Sequence, residues 1–535
     1  MQSLAQAQRC LISGAARLGR APLLACAVAC AAIPVARAAD ADADADAMAV
    51  GRRVQASLAA DLRPSVLDPG QALPHWSLRE RMRHYGVPGV AIAVLKDGRV
   101  VYAGGYGVRA SEGNDAVDAD TLFSVGSVSK VVTAATTLRL VAQRQLDLDR
   151  DVDGYLRGWQ IPAGDHPGAI TLRMLLSHTS GLNVHGFDDY APGAALPTLL
   201  QTLQGVAPAQ NAALRRVDAP ATRMRYSGGG VMVEQKVIED RTGRPLEQVA
   251  RSEIFAPLGM DRSSFLDPSA RGMANVAMAH DAGGRPVARP RGWQSFPEQA
   301  ASGLWTSAND LARFVAALVA SYRQPGGLLP QPLAVEMMSE VQPSIHGLGP
   351  RLGGTGEMRY FHHGGANDSY RAWVEGHLVS GDGVVILSNG ARGSELNAEI
   401  RNAVWDALDP RFAPPVASIA LDPTQGAAAR YPGRYRREPL AEDLRGNLAA
   451  FDGQVLTISV SDGHLQLSDG EDTVLALRAL TPSRFIATPP PDAIECQFLR
   501  NAHGEVYALV LERDDARLYF RREPAADPAS VPLKK

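Results

Sequence analysis

Two stretches of strand-forming residues, set at opposite ends of a long helical interval, limit the fold of this chain more than any other feature. The first, Val90-Ala91-Ile92-Ala93-Val94-Leu95, runs through Lys96-Asp97-Gly98 into Val100-Val101-Tyr102-Ala103. It reads as a β-hairpin with a glycine-bearing turn. The second comprises Arg371 to Gly376, the turn Ser380-Gly381-Asp382-Gly383, and Val384-Val385-Ile386-Leu387. Between them, Thr121 to Gln143 carries apolar residues at helical spacing, and helical and loop segments continue to about residue 320. Ser394 reads as the N-cap of a closing helix, Glu395 to Leu408. Strands at both ends with helices between predict an α+β domain whose terminal segments share one sheet.

The start of the chain reads as an export signal covering residues 1–38. Arg9, Arg17 and Arg20 precede the apolar run Leu23 to Ile33, and Ala36-Arg37-Ala38 supplies a small-residue cleavage site. An exported protein, periplasmic or secreted, is expected; Leu23-Leu24-Ala25-Cys26 offers lipoprotein anchoring at Cys26 as the lesser alternative. No later stretch is apolar enough for a membrane span. Three of the four cysteines (Cys10, Cys26, Cys30) fall inside the signal, so Cys496 is left without an intramolecular partner. Formal net charge is −3 with the signs interspersed, which argues against a nucleic-acid partner. The cysteines and histidines show no zinc-type spacing, and no glycine loop with a lysine cradles phosphate, so neither metal nor cofactor is expected. The Ala/Asp alternation from Ala39 to Ala47 reads as a solvated linker.

The chemistry concentrates at Ser127-Val128-Ser129-Lys130. Among 54 basic residues only Lys96, Lys130, Lys236, Lys534 and Lys535 are lysines. Arginine stays protonated in proteins, whereas a lysine shielded from water can release its proton and act as a base. Residues three apart share a helix face, so Lys130 lies within reach of the Ser127 hydroxyl. Unpaired N–H groups at the helix start favour negative charge developing at Ser127. Ser129 points elsewhere. Lys96, in the hairpin turn, and Lys236, on a helical stretch, read as solvated.

Further along stand Thr171 to Leu182 with Ser177-His178-Thr179-Ser180-Gly181, then Tyr226-Ser227-Gly228, Gly303 to Leu311, and His363-Gly364-Gly365. In this order, together with the Val87-Pro88-Gly89-Val90 hairpin, they resemble the serine β-lactamase-related superfamily on its class C β-lactamase, D-aminopeptidase and esterase side. The resemblance spans roughly residues 72–410. It implies a β-lactamase/transpeptidase-like fold, an antiparallel sheet flanked by helices with an all-helical subdomain.

The same resemblance implies roles. Ser127 attacks a carbonyl and becomes acylated, splitting one hard hydrolysis into two easier steps. Lys130 and Tyr226 share the proton transfer, unranked; a phenol ordinarily titrates at about 10, so nearby cations are needed to make its phenolate accessible. His363 stands where penicillin-binding relatives carry the lysine of Lys-Thr-Gly. Strand alternation lets only one of His362 and His363 face the site, and family phasing selects His363. Gly365 allows close backbone approach to the substrate, and the N–H groups of Ser127 and Ala366 form the oxyanion hole. His178 is structural. Trp305 and Trp373 are open between cleft and core.

One departure stands out. Many relatives carry Asn two residues after the tyrosine to contact the substrate's own amide, and this chain has Gly228, followed by Gly229 and Gly230. Losing that donor and acceptor weakens amide recognition and leaves ester hydrolysis untouched.

After residue 410 the composition turns to Pro, Ala and Asp, a linker over 411–430. Short alternating segments then predict a small antiparallel β-domain, barrel or sandwich, over 431–522, with a tail at 523–535. Its opening, Tyr431-Pro432-Gly433-Arg434-Tyr435, resembles the lipocalin-like modules of some superfamily members; it either shapes the cleft or only packs. With residues 39–71 as linker and N-terminal segment, the expected protein is an exported serine hydrolase. Its substrate is a small molecule or peptide carrying an ester, D-amino-acid amide or β-lactam bond. The alternative is a penicillin-binding or sensor-like protein that is acylated without turnover. Oligomeric state is not encoded in any readable pattern.

Overall fold

The computed structural model describes residues 33–438, 455–469, 474–487, 494–513 and 516–524. Most of the expected export signal and the end of the tail lie outside the described residues. Helix α1 (Ile33–Ala60) covers the Ala/Asp alternation, so the segment expected to be a solvated linker is helical. Alanine is the strongest helix former, and here its propensity outweighs the alternation. Helix α2 (Leu78–Tyr85) begins with a capping box in which Ser77 and Glu80 satisfy each other's backbone N–H groups.

The hairpin of β1 (Gly89–Lys96) and β2 (Arg99–Gly107) forms as the sequence predicts. The second group of strands, β3 (Arg351–Gly353), β4 (Tyr360–Ala366), β5 (Arg371–His377) and β6 (Gly383–Ser388), joins it in one antiparallel sheet. The strand order is β2-β1-β6-β5-β4-β3. First and last strands are neighbours, Ile92 opposite Ile386, which confirms the shared sheet.

β1 is apolar without interruption because both its faces are buried. Val90, Ile92 and Val94 pack with Val54 and Leu58 of α1 and with Leu396 and Ile400 of α6 (Gly393–Leu408). Ala91, Ala93 and Leu95 pack on the opposite side with the helical region, including Leu311 and Phe314 of α5 (Ala308–Arg323). That region also holds α3 (Ser129–Ala142) and α4 (Gly228–Thr242).

Strands β7 (Gly433–Arg437), β8 (Val455–Ser461), β9 (His464–Ser468), β10 (Val474–Ala479), β11 (Arg484–Ala487), β12 (Ile494–Arg500), β13 (Val506–Arg513) and β14 (Ala516–Arg522) close into an antiparallel barrel. Between barrel and sandwich, barrel is correct. Its interior is filled by Tyr431, Tyr435, Phe485, Phe498 and Phe520, with Cys496 buried among them. The linker between the two domains is tied to both of them. Val416–Ala417 pairs in parallel with Val66–Leu67, Ile419 N–H donates to Ala479 O at 2.8 Å, and Arg478 donates to Val66 O at 3.0 Å. Backbone groups there find partners in both domains, which polar composition alone does not reveal.

Candidate active site

A single 3₁₀ turn, Gly126–Val128, leads directly into α3. Lys130, 3% exposed, reaches back one turn: its Nζ donates to Ser127 Oγ at 3.0 Å and to Ala301 O at 2.8 Å. Ala301 belongs to the short helix Gln299–Ser302, whose Ala300 O accepts from Thr133 of α3. Lys130 is thus held by a hydroxyl and a carbonyl rather than by a carboxylate. Lys96 and Lys236, expected to be solvated, are ion-paired to Asp382 and Asp240 at 2.8 Å each. Ser129 bonds Gly126 O and Leu304 N–H, a structural role.

Strand β4 brings His363, Gly365 and Ala366 to the same place. Asn367 N–H donates to Tyr370 O, so the neighbouring pair Ala366–Arg371 is a non-hydrogen-bonded one and the Ala366 N–H turns away from β5. It turns toward the Gly126–Ser127 turn: a Cβ on Gly126 would stand 2.9 Å from Ala366 N. Gly365 is required for a reason other than the expected one. A Cβ there would lie 1.9 Å from Val125 O, so the group that approaches it is the chain's own backbone.

Ser127, Tyr226, His363, Gly365 and Ala366 line one cavity of about 300 Å³, with His185, Phe187, Phe296, Arg351, Trp373, Ser394 and Asn397 also on its walls. No described barrel residue lines it. His363 faces the cavity while His362 stacks on Trp373, ring centroids 5.1 Å apart. Trp305 is core, packed on Trp293 and Tyr370.

Tyr226 sits among imidazoles and cations. Its ring centroid is 4.3 Å from His178, 5.0 Å from His185, 6.1 Å from His346 and 6.3 Å from His363. Lys130 Nζ is 5.1 Å and the Arg351 guanidinium 5.8 Å from it. Burial, helped by Lys130 and Arg351, drives His178 and His363 well below the usual imidazole range. His346 follows through burial, His178 and Arg351. All three are neutral at pH 7. His178 Nδ1 accepts the Ser227 N–H at 3.2 Å, which fixes the backbone next to Tyr226. Its role is structural in support of the tyrosine, as expected, but at the site itself. Among the described residues, those lining the cavity include no carboxylate, and no group of three or more His, Cys, Asp or Glu is arranged to hold a metal.

Gly228 is the predicted site residue that the structure sets apart. It is buried at the start of α4 and does not line the cavity, because His185 O and Phe187 cover it. Arg351, His346, His185 and Phe187 were not singled out by the sequence reading. Each comes from a loop or a short edge strand with no recognisable local pattern.

A β-lactamase family model matches residues 77–409, and the chain belongs to that family. It is a serine hydrolase of the family, whose members similar to this chain are named as hydrolases. It is 28% identical over 393 residues to penicillin-binding protein 4 of Amycolatopsis lactamdurans, covering 68% of this chain and 97% of that one. A D-aminopeptidase of Brucella anthropi is 28% identical over 302 residues, and the chain spans only 54% of its length. Among solved structures, the octameric penicillin-binding protein homologue from Pyrococcus abyssi aligns with a TM-score of 0.53 at 22% identity, over 83% of this chain and 98% of that one. SurE with D-Leu aligns with a TM-score of 0.52 at 23% identity, over 83% and 97%. These two likenesses speak for the fold. Among the described residues, no helix is long and apolar enough to cross a membrane.

Proposed function

We propose that this chain is an exported hydrolase that forms an acyl-enzyme on Ser127. Lys130 and Tyr226 move the proton from the attacking hydroxyl to the leaving group. The observation that carries this reading is the 3.0 Å contact between Lys130 Nζ and Ser127 Oγ, with the lysine buried and its second bond made to Ala301 O. A lysine so placed exchanges protons only with the serine or with groups on the cavity side, because the Ala301 carbonyl takes no proton from it. As the Oγ–carbonyl bond forms, negative charge collects on the former carbonyl oxygen. The N–H groups of Ser127 and Ala366 receive it, in a cavity whose described wall residues include Arg351 and no carboxylate; as the carbonyl re-forms, the bond to the leaving group breaks and that group departs with the relayed proton. Water then attacks the acyl carbon and gives up a proton to the same carriers, the Oγ–acyl bond breaks as that proton returns to Ser127 Oγ, and the acid leaves.

The scissile bond is an ester, a D-amino-acid amide or a β-lactam. Similarity to proteins named D-aminopeptidase and β-lactamase supports the two amide classes. The penicillin-binding reading, acylation without turnover, takes its support from the similarity to penicillin-binding protein 4. Intact-mass spectra recorded over time with 4-nitrophenyl acetate and with benzylpenicillin separate the two. A transient adduct with product release is expected for a hydrolase and a persistent one for a binder. An adduct that survives Ser127→Ala ends the assignment.

A further inference from the structure

Three glycines in succession open α4, and the chain preceding them in space is built onto their amides. Gly228 N–H donates to His185 O at 3.1 Å and Gly229 N–H to Val184 O at 3.0 Å. Gly230 N–H donates to Ser227 Oγ at 2.9 Å, and that hydroxyl donates on to Asn183 O at 2.6 Å. The orphan donors of the helix start therefore hold residues 183–185 as a fixed lip. Val184 within it has φ +63, a left-handed conformation that a β-branched residue adopts only when its surroundings impose it.

The glycines make this seat possible. A Cβ on Gly228 would stand 3.0 Å from Phe187 Cε2 and 3.1 Å from His185 O, and one on Gly229 would stand 2.4 Å from Leu214 Cδ1. An asparagine at 228 would need the space that the lip fills. The lip in turn delivers His185, Gly186 and Phe187 to the cavity wall shared with Ser127, the His185 ring tilted 47° to that of Tyr226.

We propose that this lip selects the acyl group of the substrate. His185 hydrogen-bonds an amide next to the scissile carbonyl, and Phe187 with Phe296 forms the apolar wall for the side chain beyond it. An imidazole brings a ring N–H donor and, when neutral, an acceptor, the two functions of the carboxamide that Gly228 lacks. The preferred substrate is thus an N-acylated amino-acid ester or amide rather than a simple short-chain ester. The proposal rests on the acyl-enzyme reading above.

The test compares kcat/KM for the 4-nitrophenyl ester of N-acetyl-D-phenylalanine with that for 4-nitrophenyl acetate, and follows the ratio of the two. His185→Ala should lower the ratio about tenfold, the worth of one hydrogen bond. His185→Gln, which keeps a donor and an acceptor, should hold the ratio within about threefold of wild type. Gly228→Ala, which leaves His185 in the chain and pushes the lip outward, should lower it as well. A ratio unchanged in His185→Ala, with the Ser127 adduct still seen by mass, overturns this inference and leaves the acyl-enzyme reading standing. If the wild-type protein forms no Ser127 adduct with either ester, both fall.

Discussion

Two buried clusters of histidine and arginine face each other across the sheet, and they handle charge in opposite ways. Behind the sheet, Glu375 is met on both oxygens. Arg401 at 2.8 Å and His377 at 2.9 Å reach one, and Arg401 again with Trp373 Nε1 at 2.9 Å reaches the other. Burial alone would raise this carboxyl; Arg401 and His377 outweigh it and hold Glu375 well below the usual range. Around Tyr226, by contrast, His178, His346 and His363 are neutral, His346 Nε2 and His363 Nε2 have no hydrogen-bond partner, and the described residues of the cavity wall include no carboxylate. A cluster built for stability closes its charge account internally. A cluster of neutral imidazoles with ring nitrogens left unsatisfied beside the nucleophile is prepared for a group supplied from outside.

The sharpest way to break this contrast is Lys130→Arg. Charge is kept, but arginine does not release its proton at accessible pH. Acylation of Ser127 should fall on the order of 10² to 10⁴-fold, the usual worth of a positioned proton carrier. Stopped-flow ester cleavage measures it, and wild-type rates would show that Lys130 serves only as fixed charge. Next in size is Arg401→Leu on the other side. Removing it leaves Glu375 buried with only His377 and Trp373 Nε1 as partners, a loss of about 3–5 kcal/mol. A denaturant midpoint close to wild type would mean that the back cluster is not the closed structure described.

The two clusters were unequally legible in the sequence. Ser127 and Lys130 were readable because a helix places residues three apart on one face whatever surrounds it. Strand alternation left only one of His362 and His363 for the site, and the family resemblance selected His363. The shared sheet was readable from strand-forming segments at both ends of a helical interval. Gly228 was misplaced because a glycine marks room without saying what fills it, and only the tertiary structure supplies Phe187 and His185. Arg351 and His346 lie in segments whose position depends on β3 pairing with β4. The pairing of the 411–430 linker with Val66–Leu67 was not legible, because a composition of Pro, Ala and Asp does not say where its backbone groups find partners.

A third test concerns a carboxyl belonging to neither cluster, at the start of the short helix Gln299–Ser302 that holds Lys130. Glu298, fully buried, has both oxygens without a hydrogen-bond partner, and burial with a contribution from Asp188 pushes it up to about 7. Its folded value lies above its ordinary 4.5, so the folded state keeps a proton that the unfolded state has released. Stability is therefore full below pH 4.5 and declines as pH rises toward 7, by about 3 kcal/mol in all. Glu298→Gln removes the decline. Thermal midpoints of the variant should pull ahead of wild type between pH 5 and 7, and parallel curves would show that the carboxyl is solvated or paired after all.

The smallest effect tests the histidines themselves. His346 has a folded value below its ordinary 6.5, so as pH falls under 6.5 the unfolded chain takes up a proton that the folded protein refuses. Each such imidazole costs up to about 1.4 kcal/mol per pH unit in that range. His346→Asn carries a pH-independent packing penalty, but it deletes one proton-linked loss. Relative to its deficit at pH 8, the variant should recover up to about 2 kcal/mol by pH 5. Glu375→Gln offers the control from the other cluster. Glu375 is held low, so the stability it contributes is present above 4.5 and lost only below it, and its variant should run parallel to wild type between pH 5 and 6.5. If His346→Asn also runs parallel, the imidazole is paired with a proton in the folded protein. The pocket would then be as closed electrostatically as the cluster behind the sheet.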